Sequence, residues 1–226
     1  MTGAVKRVGG LSKAVAVLAG LVALVTVVQT ALSSSVTDDA SAFLAGDISD
    51  NEFEDSIVAV GAIGSLTTVL TIGAAVVTVI WMFRIASNVR AFGRRTTWSP
   101  LFSIFGWVLP PFLYVIPFLV LRELWKASEP TRVDGSDNWK QVRDNPLLWV
   151  WLAVFGVLPA LLFVVEVSSL ASSSFGGGAL KAQAESLEDF GLVQWLSAIL
   201  SVIAAAVWIP FVRQLTTRHR QLTNEA

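Results

Sequence analysis

Five stretches of the chain, residues 14–32, 57–83, 98–121, 147–165 and 190–212, contain no Asp, Glu, Lys or Arg. As a helix, even the shortest of them would measure about 28 Å, close to the hydrocarbon thickness of a bilayer. Runs of this length far exceed ordinary strands, so the pattern predicts helices. Soluble domains commonly devote about a quarter of their residues to charge, whereas here 15% are charged and 54% are hydrophobic. The expected fold class is therefore all-α and integral to a membrane.

The third run differs from the others. Pro110, Pro111 and Pro117 interrupt residues 98–121, and each proline lacks the N–H that a carbonyl four residues earlier would accept. Gly106, Trp107 and the three prolines are the expected hinge of a broken segment. Its freed carbonyls must be satisfied by protein or water, because lipid offers no donor.

The charges decide whether this segment crosses. If it is re-entrant or interfacial and returns to its own side, four spans remain. Of the sixteen Lys and Arg residues, Lys181 alone then lies outside. If it crosses, the positive residues divide evenly between the two sides, against the usual excess of positive charge on the cytoplasmic side. The expected arrangement is thus a short cytoplasmic N-terminus over residues 1–13 and one membrane domain over 14–212. Its spans are 14–32, 57–83, 147–165 and 190–212, with a broken segment at 98–121 and a cytoplasmic linker at 122–146. A cytoplasmic tail over 213–226 completes it. The basic start and first apolar run also fit a signal peptide, but the run exceeds a usual signal core and reads as retained.

Between the first two spans, residues 33–56 hold seven acidic side chains and no basic one. They lack the glycine turn and Asp/Asn alternation of a calcium loop, so a solvated loop is expected. Ser49 followed by Glu52 predicts a capping box opening the second helix. Within that helix Gly61, Gly64, Ser65, Thr68, Thr71 and Ala75 form a small-residue stripe interrupted by Ile72, a signature of close helix packing. Ala16 with Gly20, and Ala19 with Ala23, do the same in the first span. Beyond the membrane surface Arg84, Asn88 and Arg95 are expected on a polar face, with Gly93 as the stop. Trp81 is expected in the interfacial aromatic belt.

Further along, Gly135, Ser136 and Asp137 mark a turn, Pro159 is expected to kink the 147–165 helix, and Glu166 falls at its outer end. Residues 172–178 read as a Ser/Gly loop and 180–189 as a short outer helix. His219, flanked by arginine and set in the tail, is expected to be solvent-exposed and inert.

Chemistry is sparse. The chain has no cysteine and one histidine, and it contains no HExxH, GxSxG or phosphate-binding loop, so no catalytic, metal or cofactor site is expected. The candidate contact surface is a cytoplasmic cluster of Arg84, Asn88, Arg90, Arg94, Arg95, Arg122 and Lys126 with Trp81 and Trp125. It could meet anionic lipid headgroups at about 1 kcal/mol per basic residue, or a partner protein. Nucleic acid is not expected, because the basic groups are pinned beside the bilayer and the linker also carries acids.

Trp81, Arg84, Asn88 and Gly93, then Ser99-Pro100, Gly106-Trp107, Pro110 and Pro117, and finally Arg122-Glu123-Leu124-Trp125, resemble the family catalogued as domain of unknown function 4328. The resemblance runs from about Ile57 to Val212. It implies a bacterial multi-pass membrane protein without an assigned activity. Where the family often carries a polar residue between the two prolines and a basic one before the second, this chain has Leu113 and Ile116. The expected function is a structural or interaction component of the plasma membrane, as a homo-oligomer or with a membrane-protein partner. The alternative is a small transporter or channel subunit using segment 98–121.

Overall fold

The structure, a computed structural model, describes residues 5–107, 114–131, 137–162 and 191–225. All regular structure among them is helical. Helix α1 spans Gly9–Ala45 and α2 spans Asp50–Ala91. A short α3, Phe102–Phe105, and α4, Val115–Ala127, follow. A 3-10 turn at Asp137–Gln141 leads to α5, Pro146–Leu162, and α6, Gly191–Thr223, closes the fold. Among the described residues three helices, α1, α2 and α6, are long and apolar enough to cross a membrane, and α5 is a shorter apolar helix.

Residues 33–56 are a helical hairpin, not the expected loop. α1 continues through Ser33–Ala45 because Val36 and Ala40 bury against Phe53 of α2, and Phe43 stacks on Phe53 with ring centroids 4.8 Å apart. Helix α1 stops at Gly46, whose φ of 83° suits glycine. There Gly46 N–H donates to the Phe43 carbonyl and Asp47 N–H to that of Ala42, the paired bonds that close a helix C-terminus. The capping box is present, with Ser49 N–H donating to Glu52 Oε2 at 2.9 Å and Glu52 N–H to Ser49 Oγ at 3.4 Å. That bonding also holds the Glu52 carboxyl below its usual range.

Helix α2 ends as its glycine predicts. Gly93 has φ 76°, its N–H donates to the Arg90 carbonyl, and Arg94 N–H donates to that of Val89. Small residues govern the contact of α1 with α6, where Ala16 and Ala23 are buried and a Cβ on Gly20 would lie 4.0 Å from Ile209 Cδ1.

Residues 98–121 do not form one continuous helix. α3 is a single turn, and a Cβ added to Gly106 would sit 2.7 Å from Ile116 Cγ2 and 2.6 Å from the Phe102 carbonyl oxygen. Residues 106 and 116 are therefore in contact, whereas ten residues of straight helix would separate them by about 15 Å. Pro117 does not break a helix. It lies in the first turn of α4, where its missing N–H would have had no helical partner. Pro110 and Pro111 lie outside the described residues, as do Glu166, the Gly135–Ser136 turn residues, and the expected loop at 172–178 and helix at 180–189. In α5 a π-helical stretch, Leu152–Val157, precedes Pro159. Gly156 within it lets Tyr114 approach, since a Cβ there would lie 3.1 Å from Tyr114 Cβ.

Helix ends locate the chain along the bundle. Asn88 near the end of α2 bonds to Lys6, Asn145 before α5 donates to Gln214 near the end of α6 at 2.8 Å, and Glu225 bonds to Val8. These points share one end, called here the basic end. Residues 91–145 therefore begin and finish at that end.

Candidate functional site

The basic end is built in two layers. The first is aromatic. Trp208 of α6 stacks on Trp151 of α5 at 5.1 Å and meets the edge of Trp81 of α2 at 6.2 Å, while Trp107 meets Trp151 at 6.2 Å. Such pairs contribute about 0.5–1.5 kcal/mol each beyond burial. Trp81 is fully buried, with its Nε1–H donated to Thr216 Oγ1 at 3.1 Å. The expected belt position is thus corrected: α6 continues past its apolar run and carries Thr216 level with the indole.

The second layer is polar and lies beyond Val212, where the charge-free run of α6 ends. Asn88 is 2% exposed rather than on a solvated face. Its Oδ1 accepts from Lys6 N–H at 2.9 Å and its Nδ2 donates to the Lys6 carbonyl at 2.8 Å. This two-point pairing fixes which way the amide faces. The second Nδ2 hydrogen points at His219 Nε2, 3.0 Å away, so Nε2 must be the acceptor and the ring neutral. The proton then sits on Nδ1, which lies 3.3 Å from Ser128 Oγ.

His219 is therefore not the exposed tail residue the flanking arginines suggest. It is 0% exposed, because the last turns of α6 pack between α2 and the end of α4. Burial pushes its pKa down to about 4, with Glu225 opposing and Arg94 adding to the shift.

Around this centre the termini are strapped down. Glu225 accepts from Val8 N–H at 3.0 and 3.1 Å and from Gly9 N–H at 3.0 Å, placing a carboxylate on free donors at the start of α1. Arg84 Nη1 donates to the Arg7 carbonyl at 2.9 Å.

Arg94 is 1% exposed and ties α2 to α4. Its Nη1 donates to the carbonyls of Ala127 and Glu129, both at 2.7 Å, capping the end of α4. The Glu129 carboxylate pairs with Arg218, whose guanidinium lies 4.3 Å from the Trp125 ring. Arg90 donates to Thr96 Oγ1 at 3.0 Å and to the Thr96 carbonyl at 3.2 Å. Glu123 accepts from Thr97 N–H at 2.6 Å and Trp98 N–H at 3.0 Å, bringing the segment's start to α4. Arg122 and Lys126 both pair with Asp144, at 2.7 and 2.9 Å. Burial alone would raise the Asp144 pKa, but the two cations outweigh it and hold the carboxyl below its usual range.

The structure thus brings the candidate cluster together but turns much of it inward. Trp81, Asn88 and Arg94 are buried, Arg84, Arg122, Lys126 and Trp125 are half-buried and engaged, and Arg90 and Arg95 are exposed. Thr216, Ser128, His219, Glu129 and Glu225, which sequence reasoning did not assign to the site, complete it. An open groove of about 480 Å³ runs between α4, the linker and α6, lined by Trp125, Asp144, Asn145, Gln214 and Arg218. Among its charged lining residues Asp144 is paired with Arg122 and Lys126, and Glu129 with Arg218. No group of three acidic, His or Cys side chains that could hold a metal occurs among the described residues. At the hinge, Gly106 is buried and Trp107 half-buried, Pro117 is buried in α4, and Pro110 and Pro111 lie outside the described residues.

A family model described as Domain of unknown function (DUF4328) matches residues 45–220. The chain belongs to this family. The match is wider than the motif resemblance, taking in the start of α2 and the extension of α6 that carries Thr216, Arg218 and His219. The DUF4328 region thus supplies Trp81, Asn88, Arg94, Ser128 and His219, whereas Lys6, Val8 and Glu225 flank it. No curated protein and no solved structure matches the chain.

Proposed function

We propose that this DUF4328 protein is an interaction component of the plasma membrane, with four spans, both termini cytoplasmic, and a face of α2 that receives another membrane helix. The observation that carries this reading is the exposed row Gly61, Ser65, Thr68, Ile72 and Ala75, which no other part of the chain covers among the described residues. Ser65 and Thr68 donate their hydroxyls to carbonyls of their own helix, at 3.0 and 2.9 Å. Apart from Ile72 the row is shallow and internally satisfied, which suits close helix approach in lipid.

The topology has separate support. Val8 and Glu225 meet, so both termini lie at one end, which calls for an even number of crossings. Asn145 sits at that end and Gln194 lies away from it, and the apolar helix α5, which starts beside Asn145, is the natural fourth crossing. The Gly106 contact with Ile116 favours a segment that re-enters and returns. The excess of Lys and Arg at this end favours its cytoplasmic placement. No catalytic role belongs to this reading.

Crosslinking in native membranes is expected to capture a dimer or a defined heteromer, and the pair Gly61→Leu and Ala75→Leu is expected to abolish it. A monomeric wild-type protein with no captured partner would overturn the proposal. Gly64 is spared in this test, because a Cβ there would lie 3.3 Å from Gln29 Nε2 and disturb internal packing.

A second reading, a solute pathway at the broken segment, is favoured by Ser103 Oγ and Trp107 Nε1. Both are buried without a hydrogen-bond partner among the described residues, and they are four residues apart, on one side of a helical turn. A Leu113→Cys thiol should then react with small water-soluble reagents from one side of the membrane. Inertness from both sides removes this reading.

A further inference from the structure

The five charge-free runs contain just two carboxamides, Gln29 in the first and Gln194 in the last. Although 165 positions apart, they line one cleft between α1 and α6, of about 210 Å³, together with Thr26, Thr30, Ser33 and Ser197. The cleft lies beside the start of α6, about 30 Å along α1 from its start, on the side of the bundle away from the termini. Nothing in the local sequence of either helix calls for an amide there. In an apolar run a carboxamide is costly unless its donors and acceptors are met.

The two amides are held differently. Gln29 Oε1 accepts from Thr67 Oγ1 of α2 at 2.8 Å. Gly64 leaves room beside Nε2, where a Cβ would intrude to 3.3 Å. The Gln29 side chain is thus fixed from behind by α2, and Nε2 has no hydrogen-bond partner among the described residues. Across the cleft, the Gln194 carboxamide offers both a donor and an acceptor and is likewise unengaged among them. Thr30 and Ser33 are 6% and 8% exposed, so their hydroxyls belong to the cleft wall rather than to a solvated surface. The lining holds no titratable side chain. It offers neutral donors and acceptors, of which the Gln29 amide is held in place by Thr67, and these match a ligand with the same chemistry and give an ion no compensating charge.

We propose that this cleft is a binding site for a small neutral solute rich in hydrogen-bond donors and acceptors, of the polyol or primary-amide class, entering from the end opposite the termini. The site is separate from the α2 face and from the broken segment, and stands or falls independently of both.

The absence of native cysteine allows a direct test with glycerol and acetamide as probes. A Ser197→Cys thiol should react with a small water-soluble thiol reagent. Either solute at twice its dissociation constant should slow that reaction about threefold, as expected for simple competition by occupancy. A Asp47→Cys thiol, on the exposed hairpin turn, should be unaffected and so control for viscosity. Protection should vanish in Gln29→Leu and in Gln194→Leu. The second variant keeps the Thr67 bond of Gln29, so loss there cannot be assigned to disturbed α1–α2 packing. A thiol at 197 that never reacts, protection by neither solute, or protection that survives both Gln substitutions would each overturn the proposal.

Discussion

Arg94→Ala is expected to destabilise the protein by about 3 kcal/mol or more, since two hydrogen bonds from a cation at roughly 1.5–3 kcal/mol each are lost. The Ala127 and Glu129 carbonyls they serve lie at the end of α4, where no helical N–H can reach them. For a chain of this size that corresponds to a fall in thermal midpoint of about 6–12 °C. Tryptophan emission during heating in mild detergent reads it directly. Arg94→Lys should recover only part of the loss, because a single ammonium does not reproduce the planar guanidinium. A shift below about 2 °C for Arg94→Ala would show that water replaces the cation freely, and would remove Arg94 from its role in tying α2 to α4.

Acidification is expected to weaken the same end through His219. Its pKa falls from 6.5 to about 4 on burial, so between those values the unfolded chain binds more protons than the folded one. Stability therefore rises with pH across this window. It is complete above about 6.5 and declines as pH falls toward about 4. The full difference is on the order of 3 kcal/mol. The structural cause is specific. A proton on Nε2 would face the Asn88 Nδ2–H that now donates to it, with Arg94 nearby, while Glu225 alone would welcome it. His219→Gln keeps an acceptor for Asn88 and is expected to flatten the pH dependence between about 4 and 6.5. An unchanged slope in that variant would assign the acid sensitivity to carboxylates elsewhere.

How far these features were legible varies with the range of the interactions behind them. The Ser49–Glu52 box and the Gly93 stop depend on neighbours a few residues away, and both stand as the chain predicts. The hairpin at 33–56 was obscured by its acidic residues, because the pattern of Val36, Ala40, Phe43 and Phe53 matters only once α1 and α2 are side by side. Pro117 reads as a breaker until the first turn of α4 is placed around it. The cationic cluster was identified as a group, but its direction was not. Arg94, Arg122 and Lys126 have partners 18 to 35 positions away, and no local pattern announces that they turn inward.

By itself the sequence determined the class: charge-free runs longer than any strand must become helices, because a backbone in lipid has to satisfy its own hydrogen bonds. It also determined helix stops and starts, through glycine and capping residues acting over one turn. Only the tertiary structure decided which polar groups are buried together. Asn88 meets Lys6 and His219, Glu225 meets Val8, and Gln29 shares a cleft with Gln194 across most of the chain's length. A polar side chain in an apolar setting is stabilised by whichever donor or acceptor the packing brings to it, and that partner is set by the arrangement of helices rather than by its neighbours in sequence.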